Sequence, residues 1–234
     1  MLNSLQQQIR QSIDSTPQKA ARFFKTGRGD YAEHEQFLGI TMPTLRRLAQ
    51  QHKDLTLKEV STLLQSPFNE ERLLALLILV EQYTTYHDRQ EEIYHFYRAH
   101  IPHMNNWNLV DVSAHLIVGA YLWDKERNPL WTMARSSNLW ERRIAIVATW
   151  YFIKRKDIQD TLTLAQVLLE DTHDLIHKAV GWMLREVGKQ KESALLAFLD
   201  VYGLQMPRTT LRYAIERLPN ALRQHYLLKA PIST

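Results

Sequence analysis

A chain of 234 residues, 45% of them hydrophobic, is long enough to bury a sizeable core, and we expect one domain over residues 1–234. Seven glycines and eight prolines are too few for a fold of hairpins and tight loops, and the absence of cysteine excludes disulfides and thiolate metal sites. A net charge of +4 and a pI near 9.2 allow a polyanionic partner without requiring one.

The opening M-L-N-S-L-Q-Q-Q-I-R-Q-S-I is amphipathic but lacks the basic-then-apolar layout of a secretion signal. No apolar run nears the ~18 residues of a membrane span, so a soluble cytoplasmic protein that makes no membrane contact is expected. Beyond the opening, apolar residues recur at i, i+3, i+4 and i+7 in nearly every window. The stretches 45–51, 71–83, 107–122, 142–154, 162–171, 176–189 and 210–218 all read as helix. Polar or proline-bearing breaks fall at 66–69, 101–106, 126–129, 136–139, 171–174 and 206–209. The punctuation predicts an all-α chain of helices joined by short turns, with no sheet.

An internal repeat is visible in the helices. Segments starting at Arg72, Trp107, Arg143, Lys178 and Arg212 align with separations of 35, 36, 35 and 34 residues and one helix between each pair. That spacing suits a solenoid of stacked antiparallel helix pairs with a concave side. Four of the five aligned starts are basic. They read either as solvated charges at helix starts or as a groove whose cations meet successive phosphates. Arg72, Arg143, Lys178 and Arg212 are therefore expected along one surface.

One turn after Trp107 stands Asp111, a carboxylate among Leu109, Val110, Val112, Leu116 and Ile117. Burying a carboxylate is costly unless it is paired. Either Asp111 caps a neighbouring helix or pairs with a basic residue such as Arg143, or it carries chemistry.

The segments F-F-K-T-G-R-G-D-Y from Phe23, F-L-G-I-T-M-P-T-L-R-R-L-A from Phe37 and W-N-L-V-D from Trp107 resemble the AlkD-like alkylpurine DNA glycosylases. So do W-E-R-R-I-A-I from Trp140, I-H-K-A-V-G-W-M-L-R-E from Ile176 and M-P-R-T-T-L-R-Y-A-I-E from Met206, in matching order over roughly residues 20 to 220. The resemblance implies a solenoid of HEAT-like repeats that grips duplex DNA in its concave face. It also implies excision of purines alkylated at N3 or N7, from a lesion left in the duplex. It puts the catalytic aspartate on Asp111, the lesion-flanking tryptophans on Trp107 and Trp182, and phosphate contacts on Arg143 and Arg185. Contacts from the first repeats fall on Thr41, Met42 and Arg46, with Tyr31 a looser match.

The chemistry is coherent with these residue types. Alkylation makes the purine a cationic leaving group, and its departure builds positive charge on the deoxyribose. A fixed carboxylate stabilises that charge and orients a water, and tryptophan is the best aromatic partner for a cation. No lysine lies one turn to either side of Asp111, which fits water rather than an amine as nucleophile and so a monofunctional hydrolase. The expected partner is double-stranded DNA carrying alkylated purines, bound by a monomer without cofactor or metal. The alternative is a non-catalytic solenoid that binds DNA structures or protein partners. The coincidence of Trp107, Asp111, Arg143 and Trp182 favours the enzyme.

Other constellations are weaker. His173 and His177 have metal-ligand spacing but no third ligand nearby, and His115 either packs or extends the Asp111 site. The pairs Glu70–Glu71 and Glu91–Glu92 read as ordinary helix-start charge. Trp123, Trp131, Trp140 and Trp150 read as packing residues.

Overall fold

The periodic stretches fold as helices, and the computed structural model describes residues 2–229. No strand occurs among these residues; Gln36 and Phe68 form a lone bridge. The fold is an all-α helical repeat, dividing after Ser113 into two compact units.

The first unit contains α1 (Leu2–Gln11), α2 (Pro17–Ala21), α3 (Met42–Gln51), α4 (Leu57–Leu64), α5 (Asn69–Thr85) and α6 (Gln90–Ala99). It ends within α7 (Trp107–Ala114). Helix α4 opens on a capping box, the Thr56 hydroxyl and the Glu59 carboxylate satisfying each other's backbone N–H groups. Helix α5 is its centre. Every residue from Asn69 to Leu79 is buried, and the helix packs against both α3 and α4. A helix buried on all sides has no polar stripe, which is why R-L-L-A-L-L-I-L reads as nearly continuous apolar sequence.

Short turns do not join everything. Residues 22–41, between α2 and α3, form a long connection without regular helix, held down by buried polar contacts. The Glu70 carboxylate, from the first turn of α5, accepts from the backbone N–H groups of Leu38 (3.0 Å), Gly39 (2.9 Å) and Ile40 (3.4 Å). Glu35 accepts from Arg72 at 2.6 Å and from Asn106 at 2.8 Å. Gly39 has φ +87°, and a Cβ there would meet the Ser15 carbonyl oxygen at 2.8 Å, so only glycine fits this bend without strain. Glu70 and Glu71 are thus no ordinary helix-start charges. Both are 4% exposed, Glu71 accepting from Ser66 and pairing with Arg10 at 3.1 Å.

The second unit contains α8 (Asn128–Ala134), α9 (Leu139–Ala148), α10 (Trp150–Ile153), α11 (Gln159–Val167), α12 (Asp174–Gln190), α13 (Glu192–Tyr202), α14 (Arg208–Ala214) and α15 (Asn220–Lys229). Helix α12 is its hub, packing against α9, α13 and α14. Two stretches expected as plain helix are modified. The 107–122 stretch widens into a π-helical turn at His115–Gly119, and 142–154 breaks at Thr149, whose hydroxyl donates back to the Ile146 carbonyl at 2.7 Å. A Cβ on Gly119 would stand 2.2 Å from the Ala148 carbonyl oxygen, so glycine is what lets those two segments approach.

The repeat is real but its register differs from the one read by residue type. In the first unit Ser66 Oγ accepts from the Phe68 N–H at 3.1 Å, and Arg72 donates to the Ser66 carbonyl at 2.7 Å. In the second unit Ser136 Oγ accepts from the Asn138 N–H at 3.0 Å, and Arg142 donates to the Ser136 carbonyl at 3.0 Å. Asp171 repeats the turn with the His173 N–H at 2.8 Å, its carbonyl bonded to His177 Nε2. The equivalent positions are 72, 142 and 177, which with 107 and 212 gives a period of 35. Arg143 and Lys178 lie one residue beyond the repeated position. Matching charge with charge selected them, whereas the bracket is defined by a side chain reaching back to the turn that opens its own helix.

Candidate functional site

Trp107 opens α7, its backbone N–H capped by Asn106 Oδ1 at 2.8 Å. Asn106 is in turn held by Glu35, whose side chain is fully buried against Arg72. The start of α7 is therefore anchored through a chain of buried hydrogen bonds to the 22–41 connection and to α5. The half-buried Trp107 indole donates Nε1–H to the Tyr31 hydroxyl at 3.2 Å. One ring face stacks on Phe24, with centroids 5.1 Å apart and planes at 26°. Phe24 also packs on Phe37 at 5.0 Å.

These rings wall a cavity of about 600 Å³ within the first unit, lined also by Ile40, Met42 and Leu73. Its lining is mainly apolar. Glu70 is occupied by backbone N–H groups, and Asn69 and Asn108 bond to each other, one contact at 2.7 Å. Asp111, half-buried and one turn along from Trp107, shares the wall, as do Thr41 and, at the rim, Lys19 and Arg22. Burial pushes the Tyr97 hydroxyl far above its usual range, and the charge of Asp111 acts in the same direction. Asp14 holds the Thr41 edge, accepting from the Thr41 N–H (2.8 Å) and from the hydroxyls of Thr41 (2.7 Å) and Thr44 (2.6 Å). Desolvation acts to raise the Asp14 carboxyl, but these hydrogen bonds outweigh it and hold it below its ordinary value.

The structure thus brings Trp107, Asp111 and Thr41 to one cavity, with Met42 beside Thr41 and Tyr31 on the indole. Arg46 stands exposed on α3. In the second unit Trp182, Lys178 and Arg185 share α12. Trp182 is half-buried, edge-on to Trp150 at 5.0 Å. Trp150 is itself tilted against buried His115 at 4.5 Å, so the histidine belongs to an aromatic cluster rather than to solvent. Arg185 pairs with Glu216, and Lys178 with Asp174 at 2.8 Å. Arg143 is 5% exposed and donates to the Leu175 carbonyl, while Arg212 is exposed on α14. Arg72, Arg143, Lys178 and Arg212 therefore do not form a row of uniformly solvent-facing cations. Arg72 is also 5% exposed, locked to Glu35, because these positions tie helices to neighbouring turns.

Sequence reasoning missed Phe24, Glu35 and Glu70 as builders of the cavity. Phe24 on Trp107, Glu35 on Arg72 and Glu70 on Leu38 join residues more than thirty positions apart, and no local period announces them. A pair of glutamates opening an otherwise apolar helix was the available signal. His173 caps α12 through Nδ1, and among the described residues no group of three His, Cys, Asp or Glu is arranged to hold a metal ion. No helix among them is long and apolar enough to cross a membrane.

A family model described as DNA alkylation repair enzyme matches residues 5–218. Among solved structures, a predicted DNA alkylation repair enzyme from Enterococcus faecalis is similar at 16% identity. The match covers 88% of this chain and 97% of that one, with a TM-score of 0.65, a likeness of fold. No curated protein matches the chain. With the family model covering nearly the whole sequence, the chain belongs to the DNA alkylation repair enzyme family.

Proposed function

We propose that this chain is a monofunctional DNA glycosylase acting as a monomer. It hydrolyses the N-glycosidic bond of N3- or N7-alkylated purines in duplex DNA and leaves an abasic site. Family membership supports alkylated DNA as the substrate class. The observation that carries the reading is a half-buried carboxylate, Asp111, in the wall of an apolar cavity that it shares with the Trp107 indole. As the cationic base departs, positive charge develops on the deoxyribose. In poorly hydrated surroundings a fixed carboxylate stabilises that charge far better than it does in water. Asp111 also orients the attacking water, and the aromatic face of Trp107 favours the cationic nucleotide. Trp182 acts on the same duplex from the second unit, with Arg185 on a phosphate flanking the lesion, while Arg143, buried and bonded to the Leu175 carbonyl, holds α9 to α12. Thr41, Arg46, Lys178 and Arg212 add backbone contacts that fix position without reading sequence.

The test is incubation with alkylated DNA, scored for released methylpurines and abasic sites. Asp111→Asn keeps the shape and removes the charge. It should slow single-turnover release by about 2.7 to 4 kcal/mol, on the order of a hundredfold or more. The loss should be smaller for 7-methylguanine, which leaves more readily, and DNA affinity should hold or rise. If the parent protein released no methylpurine while binding duplex, the chain would be the binding-only solenoid. If the variant excised as fast as the parent, Asp111 would be structural.

A further inference from the structure

From the end of α2 into the connection that builds the cavity runs a strongly exposed basic segment. Phe23 and Phe24 are adjacent but diverge: Phe24 stacks on Trp107, whereas the Phe23 ring is 76% exposed. Around it, Lys19, Arg22, Lys25 and Arg28 recur every third residue, all exposed. None of the four makes an ion pair with a described residue. Several cations elsewhere are engaged, Arg72 with Glu35, Arg127 with Asp157, Arg142 with Asp171 and Arg185 with Glu216. The nearest carboxylates on the connection tie down its backbone, Asp30 accepting from the Gly27 N–H at 3.1 Å and Glu33 from the Gly29 N–H at 2.7 Å. The turn is thus held in shape while its cations and one large apolar ring face solvent. Lys19, Arg22 and Phe23 also line the rim of the cavity that contains Trp107 and Asp111.

We propose that this turn is a DNA-distorting wedge. Lys19, Arg22, Lys25 and Arg28 engage backbone phosphates, and the Phe23 ring enters the minor groove and unstacks a base step beside the Trp107–Asp111 cavity. The proposal rests on the reading above only in taking duplex DNA as the ligand. Four unpaired cations complement a polyanion, and an apolar side chain driven between base pairs is a recurrent means of unstacking and kinking a duplex from the minor groove. The wedge would bring a deformed step to the carboxylate without the protein reading its sequence.

The experiment uses the full chain and an unmodified short duplex with 2-aminopurine, whose fluorescence rises on unstacking. The parent protein should raise the fluorescence severalfold. Phe23→Ala should abolish the rise while retaining binding at low salt, and Phe23→Trp should restore it. Phe23 is exposed, so these variants fold. The double variant Lys19→Gln, Arg22→Gln should make the log–log salt dependence of affinity shallower by about 1.8, two phosphate contacts' worth. Equal unstacking by Phe23→Ala, or an unchanged salt slope in the double variant, would overturn the proposal. So would Phe23-dependent binding to anionic phospholipid vesicles without any to duplex, which would make the turn a membrane element. Because this duplex carries no lesion, absent methylpurine release with intact unstacking would remove the glycosylase reading and leave the wedge standing.

Discussion

Trp107 and Trp182, one in each unit, are held by opposite means. Trp107, in the first unit, depends on the 22–41 connection: Phe24 on its face, Tyr31 on its indole N–H, Glu35 behind its helix cap. Trp182, in the second, rides α12, which packs against α9, α13 and α14, beside a glycine that admits the Thr210 carbonyl. A connection without periodic hydrogen bonds keeps its shape only through particular polar and aromatic contacts, whereas a packed helix keeps its shape through many small ones. The setting of Trp107 should therefore be breakable by single polar substitutions and by acid, and that of Trp182 by changes of volume.

The largest effect on stability is expected at Glu35. Glu35→Gln leaves the Arg72 guanidinium buried without its counter-charge, and losing one partner of a buried pair costs about 3 to 5 kcal/mol. Thermal unfolding should report that loss, accompanied by a shift in Trp107 fluorescence. A cost below 1 kcal/mol would mean the pair behaves as a surface contact and the connection is held otherwise. Next comes Gly181→Ala. The added Cβ would meet the Thr210 carbonyl oxygen and the Tyr213 Cβ at 2.5 Å, forcing α12 and α14 apart for about 1 to 3 kcal/mol. This loss should be the same at every pH, since no charge is involved; a neutral outcome would show that the packed unit is the more adaptable one.

Smaller effects sharpen the contrast. Tyr31→Phe removes one hydrogen bond from the Trp107 indole, about 0.5 to 1.5 kcal/mol, and should broaden the Trp107 emission with little change at Trp182. The least is the acid dependence of Asp14. Its carboxyl is held below the ordinary 3.8 by the Thr41 and Thr44 hydrogen bonds, which outweigh the opposing desolvation. The stability it contributes is present above that ordinary value and is lost as pH falls through the depressed one. Denaturation midpoints of the parent and Asp14→Asn should differ at neutral pH and converge in acid. A difference that persists at low pH would assign the effect to shape rather than charge.

How far the molecule could be read from its sequence follows the distance over which each feature acts. Trp107 and Asp111 are one helical turn apart, so their sharing a wall was legible once 107–122 read as helix. The same periodicity, cut by proline and polar breaks, located the helices and showed a spacing near 35, because hydrophobic faces and stop signals are local properties of the chain. The register was not legible to within a residue. Arg142 and Arg143 are both arginines, and only the bond from Arg142 back to the Ser136 carbonyl decides which one repeats Arg72. Nor could the sequence announce that Glu35 and Glu70 are buried, or that Phe24 covers one face of Trp107. Those contacts depend on the path of a connection with no period of its own, which closes over helices dozens of residues away. Local pattern determined the helices and the Trp107–Asp111 pair; the tertiary fold alone decided which charges are buried in structural contacts and which remain exposed.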